Sequence, residues 1–466
     1  MSALVVRGGT VVRSTGSTPA DVLVEDGRIV AVEPDLSGPA ATADVVDGRG
    51  LLVLPGSVDV HTHTRVASDA EPDRFFQDSV AAAMGGTTTF LAFNNPGTGA
   101  SPAAERSLLA GLREWRDRTS GDSAVDIGLS LAVSGRMDDP VEELRRIVDA
   151  GVPTAKAFMV FDFRLDDRRL IDAMRSLGSS GGMLEVHCED PVLIDTAVEA
   201  ALQRGNTSPR YHAATRTREA EAVATHRAMA FAEAADAPVH VVHLSTAGAL
   251  RAVSEARERG VRATAETCPH YLVLDETVYG GTDALDVARF VISPPIRGAA
   301  DRDALWGGLA EGSLALVATD HVPDRLDREK AAAVNGVSFD RISNGSPGIE
   351  TLLTLLYSEG VAKGRITVER MVELLATAPA TRFGLVGKGD VAPGFDADLV
   401  LFDPHATRTI RGRQLHHTSD YTPYEGLVVS GAVRDVFVRG RRVVADGAFV
   451  GERGWGRHVD RRPIDS

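Results

Sequence analysis

Cysteine, long apolar runs and positive charge are all in short supply in this chain. Only two cysteines, Cys188 and Cys268, occur among 466 residues, so no framework of paired disulfides holds the fold, and a cytoplasmic location fits best. No apolar run is long enough to span a bilayer, so no membrane partner is expected. The opening MSALVVRGG lacks the basic and then extended apolar pattern of a secretory leader and runs straight into an expected strand. A net charge of -15 argues against nucleic acid as a partner. What is present is ample core material, with 43% hydrophobic and 25% charged residues and no low-complexity linker.

Eight short runs rich in apolar or β-branched residues read as strands: 57–61, 87–93, 126–133, 154–161, 183–187, 239–244, 262–267 and 314–319. Between them lie segments of helical period, among them 74–84, 103–118, 141–150, 168–177, 219–235 and 249–259. Strict alternation of strand and helix through eight units predicts an α/β fold, a (β/α)8 TIM barrel. In such a barrel the reactive face lies where the strands end, and polar residues collect there. His61 and His63 close the first run, Lys156 lies in the fourth, His187 closes the fifth, His243 the sixth and Asp320 the eighth. Residues two apart on a strand share a face, so His61 and His63 can reach one ion.

Each residue also has a plainer role. A lone His-x-His often serves as ordinary hydrogen-bonded side chains, and Asp320 in VATDH would suit a helix N-cap. His270 and His321 sit near the mouth as possible supporting groups. Lys156 has no lone pair while charged, so it would otherwise send its head to a carboxylate. Burial, however, favours its neutral amine, and a neutral amine can add carbon dioxide to form a carbamate able to bridge two cations. Cys188, alternating away from His187, reads as packing.

The ordered motifs VDVHTH, AKAFM, EVHCED, VVHLS, ETCPHYL, SPPIR, ATDH and NGSPGIE resemble those of the cyclic amidohydrolases, the group of dihydropyrimidinases (hydantoinases), allantoinases and dihydroorotases. The resemblance covers almost the whole chain. It implies a binuclear centre in which His61, His63 and Asp320 hold one divalent metal, His187 and His243 hold the second, and carboxylated Lys156 (N6-carboxylysine) bridges both. Zinc suits that ligand set best, with manganese, cobalt or iron as substitutes. The implied reaction is hydrolysis of a cyclic amide C–N bond by a metal-bridging hydroxide, with Asp320 as general base.

RYHAATRTREAEAV, SPPIR, SNGSPGIETLL and HHTSDYTPYEG look most like dihydropyrimidinases and hydantoinases, which implies ring opening of a hydantoin or dihydropyrimidine to the N-carbamoyl amino acid. Backbone groups near Ser293 and Asn344 would then bind the ureide edge of the ring. Two departures stand against this. Hydantoinases commonly carry a tyrosine five positions after the bridging lysine, donating to the developing oxyanion, and here Phe161 stands there. HTHTR also resembles the dihydroorotase pattern, in which the counterparts Arg65 and Asn95 would bind a substrate carboxylate. Arg65 reads equally as an arginine paired with Asp69 or Glu71, and Asp324 stands where dihydroorotases have a histidine. An allantoin-like or carboxylate-bearing ureide is therefore the alternative substrate, and a scaffold without catalysis the alternative class, although no ligand position is lost.

Residues 4–12, 21–32 and 44–54 from one end and 398–402, 407–410 and 433–449 from the other read as short strands. Neither half buries a sheet face alone, which predicts one β-sandwich domain from 1–55 and 386–466 beside a barrel domain of 56–385. The carboxyl-terminal run resembles the interface tail of homotetrameric hydantoinases, implying a homo-oligomer, tetramer or dimer. The charged segment 323–343 is either a loop over the mouth or a solvated outer helix.

Overall fold

The computed structural model describes residues 3–94 and 103–464. Eight parallel strands form its centre: Ser57–Thr62, Thr87–Phe93, Asp126–Ala132, Thr154–Phe158, Met183–His187, Val239–Val241, Ala263–Thr267 and Leu316–Val317. They pair in sequence order, and the ring closes where His63 N donates to His321 O at 2.7 Å. The expected barrel is therefore present. Strands four, six and eight end earlier than their apolar runs, because Phe161, His243 and Asp320 adopt φ of 75°, 38° and 49° and turn the chain out of the ladder.

The outer helices follow from caps and period. Pro140–Asp149 starts on Asp139, whose carboxylate accepts from Val141 N, with Pro140 in the first turn. It buries Leu144, Ile147 and Val148 against the barrel, at helical spacing. Asp166, Thr217 and Thr246 cap Asp167–Gly178, Arg218–Ala235 and Ala247–Glu258 in the same way. The helix expected from 103 begins only at Leu108, capped by Ser107.

Both ends of the chain enter one nine-stranded sheet. Leu52–Pro55 joins the halves, running parallel to Leu4–Arg13 and antiparallel to Leu399–Thr409. Alternation along these strands divides their side chains. Val53, Leu399 and Leu401 pack with Val22 and Phe437 inside the sheet's own core, whereas Leu54, Val400 and Phe402 join the barrel cluster. Beyond the sheet the tail returns beneath the barrel: Val459 N donates to Ile127 O at 2.8 Å and Ile464 N to Gly181 O at 2.7 Å. Arg461 is buried there and donates to Thr154 Oγ1 at 3.0 Å.

Segment 323–343 is no outer helix. It folds in turns across the cavity mouth, with Asp324, Lys330 and Phe339 buried. Lys330 Nζ donates to Val291 O at 2.9 Å, which holds the segment to the barrel. No helix of the described residues is long and apolar enough to cross a membrane.

Candidate metal centre

Strand ends bring His61, His63 and Asp320 together, with one ligand atom from each inside a 4.8 Å group. Asp320 Oδ1 lies 3.0 Å from His61 Nε2 and 3.2 Å from His63 Nε2. Lys156 Nζ meets the same atoms, 2.6 Å from His61 Nε2 and 3.5 Å from His63 Nε2. It is fully buried, 4.6 and 5.1 Å from the ring centres of Phe93 and Phe158. Beside this group His187 and His243 face each other, ring centres 4.5 Å apart, and His243 lies 5.3 Å from His61.

Donor chemistry at His61 tests whether a cation fits. Its Nδ1 is pressed against Glu266 and its Nε2 against Asp320, so both ring nitrogens face carboxylates. A neutral imidazole has only one proton to give, and the other nitrogen then points a lone pair at an oxygen. Without a metal the conflict is met by a proton on the ring or by Lys156 donating to Nε2. Burial and Lys156 oppose charge on His61, yet Asp320 and Glu266 raise its pKa to about 9. A cation between Nε2 and Oδ1 resolves the same conflict with the imidazole neutral. The other rings are already suited to ligation, since burial lowers His63 to about 4, His187 below its ordinary value and His243 well below it. His243 Nδ1 is buried without a hydrogen-bond partner. Burial likewise lowers Lys156, which favours its nucleophilic amine. It would raise Asp320, but His61 and His63 hold that carboxyl well below the carboxylate range.

Several supporting residues were not foreseen. Glu266 takes His61 on one oxygen and lies 3.1 Å from His240 Nε2 on the other. Glu189 Oε2 is 2.7 Å from His187 Nε2 and accepts from Arg216 at 2.6 Å, which leaves Nδ1 as the free ring nitrogen of His187. Asp59 accepts from Thr319 N at 3.1 Å, bracing the turn that presents Asp320. The signal was available: Asp59 and Glu189 each stand two residues from a histidine already singled out, on the same strand face or just past its end.

The group lies in a cavity of about 850 Å³ lined by His63, Lys156, His187, His243 and Asp320. Phe158, Phe161 and Phe163 pack together as an aromatic wall, and Phe93 and Trp115 also line the cavity. Ser293 and Asn344 meet on another, with Ser293 Oγ donating to Asn344 Oδ1 at 2.8 Å. Gly345 follows at φ 141° and packs against Val322, where a Cβ would lie 2.3 Å from Val322 Cβ, so only glycine fits between that side chain and the cavity wall. Arg65 reaches the wall too, but it pairs with neither Asp69 nor Glu71. Asp324 and Glu329, buried and part-buried within the mouth segment, hold its guanidinium, while Glu71 takes Arg74 and Arg328. Asn95 lies outside the described residues.

A barrel gathering histidines and an aspartate at its strand ends, around a cation-shaped conflict, is an architecture with a site that could hold a divalent metal. The sequence model described as the amidohydrolase family matches residues 52–443, and the chain belongs to that family. It is 38% identical to a D-hydantoinase of Streptomyces coelicolor, over 99% of this chain and 98% of that one. It is 36% identical to a D-phenylhydantoinase of Escherichia coli, over 99% and 98%. The structure of a dihydropyrimidinase from Brevibacillus agri superposes with a TM-score of 0.93 at 39% identity, covering 100% of both chains.

Proposed function

We propose that the chain hydrolyses a C–N bond of a cyclic amide, opening a hydantoin or dihydropyrimidine ring to the N-carbamoyl amino acid. The observation that carries this is His61, caught between two carboxylates at the point where His63 and Lys156 also converge. His61, His63 and Asp320 would hold one divalent ion, His187 and His243 a second, with carboxylated Lys156 between them. Such ions, zinc first and manganese, cobalt or iron in its place, lower the pKa of an attacking water and polarise the carbonyl. Asp320, kept ionised by its surroundings, takes the proton from the attacking water and passes it to the leaving ring nitrogen. The Ser293 and Asn344 wall, with Gly345 beside it, binds the ureide edge. The phenyl wall takes the exocyclic substituent, in keeping with relatives named for phenylhydantoin and hydantoin.

Arg65 faces the cavity with its fork already engaged by Asp324 and Glu329, which favours an uncharged substituent over a carboxylate-bearing ring. We assign the reaction to 56–385 and the terminal sheet to 1–55 with 386–466. The two free, buried cysteines agree with a cytoplasmic enzyme, and the family resemblance supports a homotetramer or dimer. The test is bound metal per chain together with hydrolysis of hydantoin, phenylhydantoin, dihydrouracil, allantoin and dihydroorotate. About two metals, and ring opening lost in Lys156→Ala, supports the mechanism. A preference for dihydroorotate or allantoin replaces the substrate, and an inert protein after metal and bicarbonate are supplied removes the reading.

A further inference from the structure

We propose that the opposite, amino-terminal face of the barrel carries a binding site for a small organic phosphate monoester, a dianionic head on an apolar body. A second cavity, of about 1040 Å³, opens where strands five and seven begin, at Met183 and Ala263. The helix Ala378–Arg382 and the returning tail at Arg462 and Ile464 form its remaining walls. Catalytic groups of barrels lie at the other face, so this cavity is separate from the reaction site.

Its charge is unlike that of the molecule around it. Arg257, Arg262, Arg382 and Arg462 all line the cavity and all are exposed, in a chain of net charge -15. Glu373 is the single acidic residue on its wall among the described residues, and Arg370 holds it at 2.7 Å. Neither Arg382 nor Arg462 makes a side-chain hydrogen bond or ion pair among the described residues. Arg257 reaches only the carbonyls of Gly312 and Ser313, at 3.4 and 3.2 Å. Arg262 donates through one nitrogen to the Asp236 carbonyl at 2.7 Å and meets the fully exposed Asp236 carboxylate only at 3.8 Å, a distance and exposure at which a pair contributes little. Burial lowers Arg382 from its ordinary value, and the charge of Arg257 adds to that while Glu373 opposes it, so Arg257 and Arg382 repel one another. A phosphate dianion relieves that repulsion and accepts paired hydrogen bonds from guanidinium forks. Beneath the arginines the floor is apolar, from Met183, Val261, Ala263, Leu385 and Ile464, which fits an uncharged body behind the head.

Part of the wall is the tail, so a ligand here ties the tail to the barrel and adds to folding stability by mass action. The test is titration calorimetry and thermal melting of the full, metal-loaded chain with phenyl phosphate, inorganic phosphate and phenol at constant ionic strength. Saturable binding of one phenyl phosphate per chain with a raised Tm is expected, with phosphate alone weaker and phenol inert. In the double variant Arg382→Gln/Arg462→Gln, and separately in Arg257→Gln/Arg262→Gln, affinity should fall at least about tenfold. These side chains are exposed, so folding is preserved, and circular dichroism checks it. Absence of saturable binding, binding that survives both double variants, or binding that disappears on removing the metals would each overturn the proposal, the last by placing the phosphate at the reaction centre.

Discussion

Glu189 separates the orientation of a ligand from ligation itself. It touches His187 and Arg216, and its charge fixes which imidazole nitrogen remains free. Glu189→Gln keeps the shape and removes the charge, so metal affinity should fall by about 10- to 100-fold with the fold intact, read by metal titration. Unchanged affinity would mean that Glu189 serves only to neutralise Arg216. Phe161 poses the converse question, because a donor is missing where related enzymes have one. Its ring centre lies 5.3 Å from that of His187, on the cavity wall. Phe161→Tyr should raise kcat toward about 100-fold with little change in KM. No gain would show that another group already meets the oxyanion. The histidines and Lys156 were legible because His-x-His and strand-end positions are local signals. The engagement of Arg65 was not, since its partner Asp324 lies 259 residues away in the chain.

At the level of elements, period and caps carried most of the reading. Pro140–Asp149 shows Asp-Pro at its start and apolar residues three and four apart, and it forms as expected. Leu144 is fully buried against the barrel, so Leu144→Ala should cost about 2–5 kcal/mol in urea unfolding, with the m-value unchanged. A smaller loss would mean that the helix collapses into the space left behind. Strand ends were less legible. Apolar character reports burial and not the hydrogen-bond ladder, so the runs 154–161, 239–244 and 314–319 extend beyond the strand ends at Phe158, Val241 and Val317, into the stretches where Phe161, His243 and Asp320 turn the backbone with positive φ. Those turns are where the site is built. The mouth segment was ambiguous because two of its charged residues, Asp324 and Lys330, are buried by partners distant in sequence, as Lys330 is by the Val291 carbonyl.

For the whole molecule, the expectation that neither terminus can bury a sheet alone led to the joined sheet, because Leu52–Pro55 needs Leu399–Thr409 on its open edge. Besides the apolar contact of Leu54, Val400 and Phe402, a buried charge cluster that no local pattern announces joins that sheet to the barrel. Lys388 Nζ donates to Asp126 Oδ2 and Asp398 Oδ2 at 2.7 Å each and lies 3.1 Å from Asp396 Oδ2. Asp126 opens the third barrel strand, whereas Asp396 and Asp398 lead into the sheet strand Leu399–Thr409, so one ammonium spans both units. Arg457 N, on the returning tail, also donates to Asp126, at 3.1 Å. Lys388→Met would retain the volume and leave three carboxylates facing one another with less compensation. Removing one partner of a buried ion pair costs about 3–5 kcal/mol, far more than the pair contributes over an apolar replacement. The variant should therefore unfold at markedly lower urea while its metal content under native conditions stays that of the parent, since the barrel's carboxyl face is untouched. If restoring neutrality with Asp126→Asn in the same chain recovers part of the loss, uncompensated charge is the cause. If it does not, the lysine acts through packing.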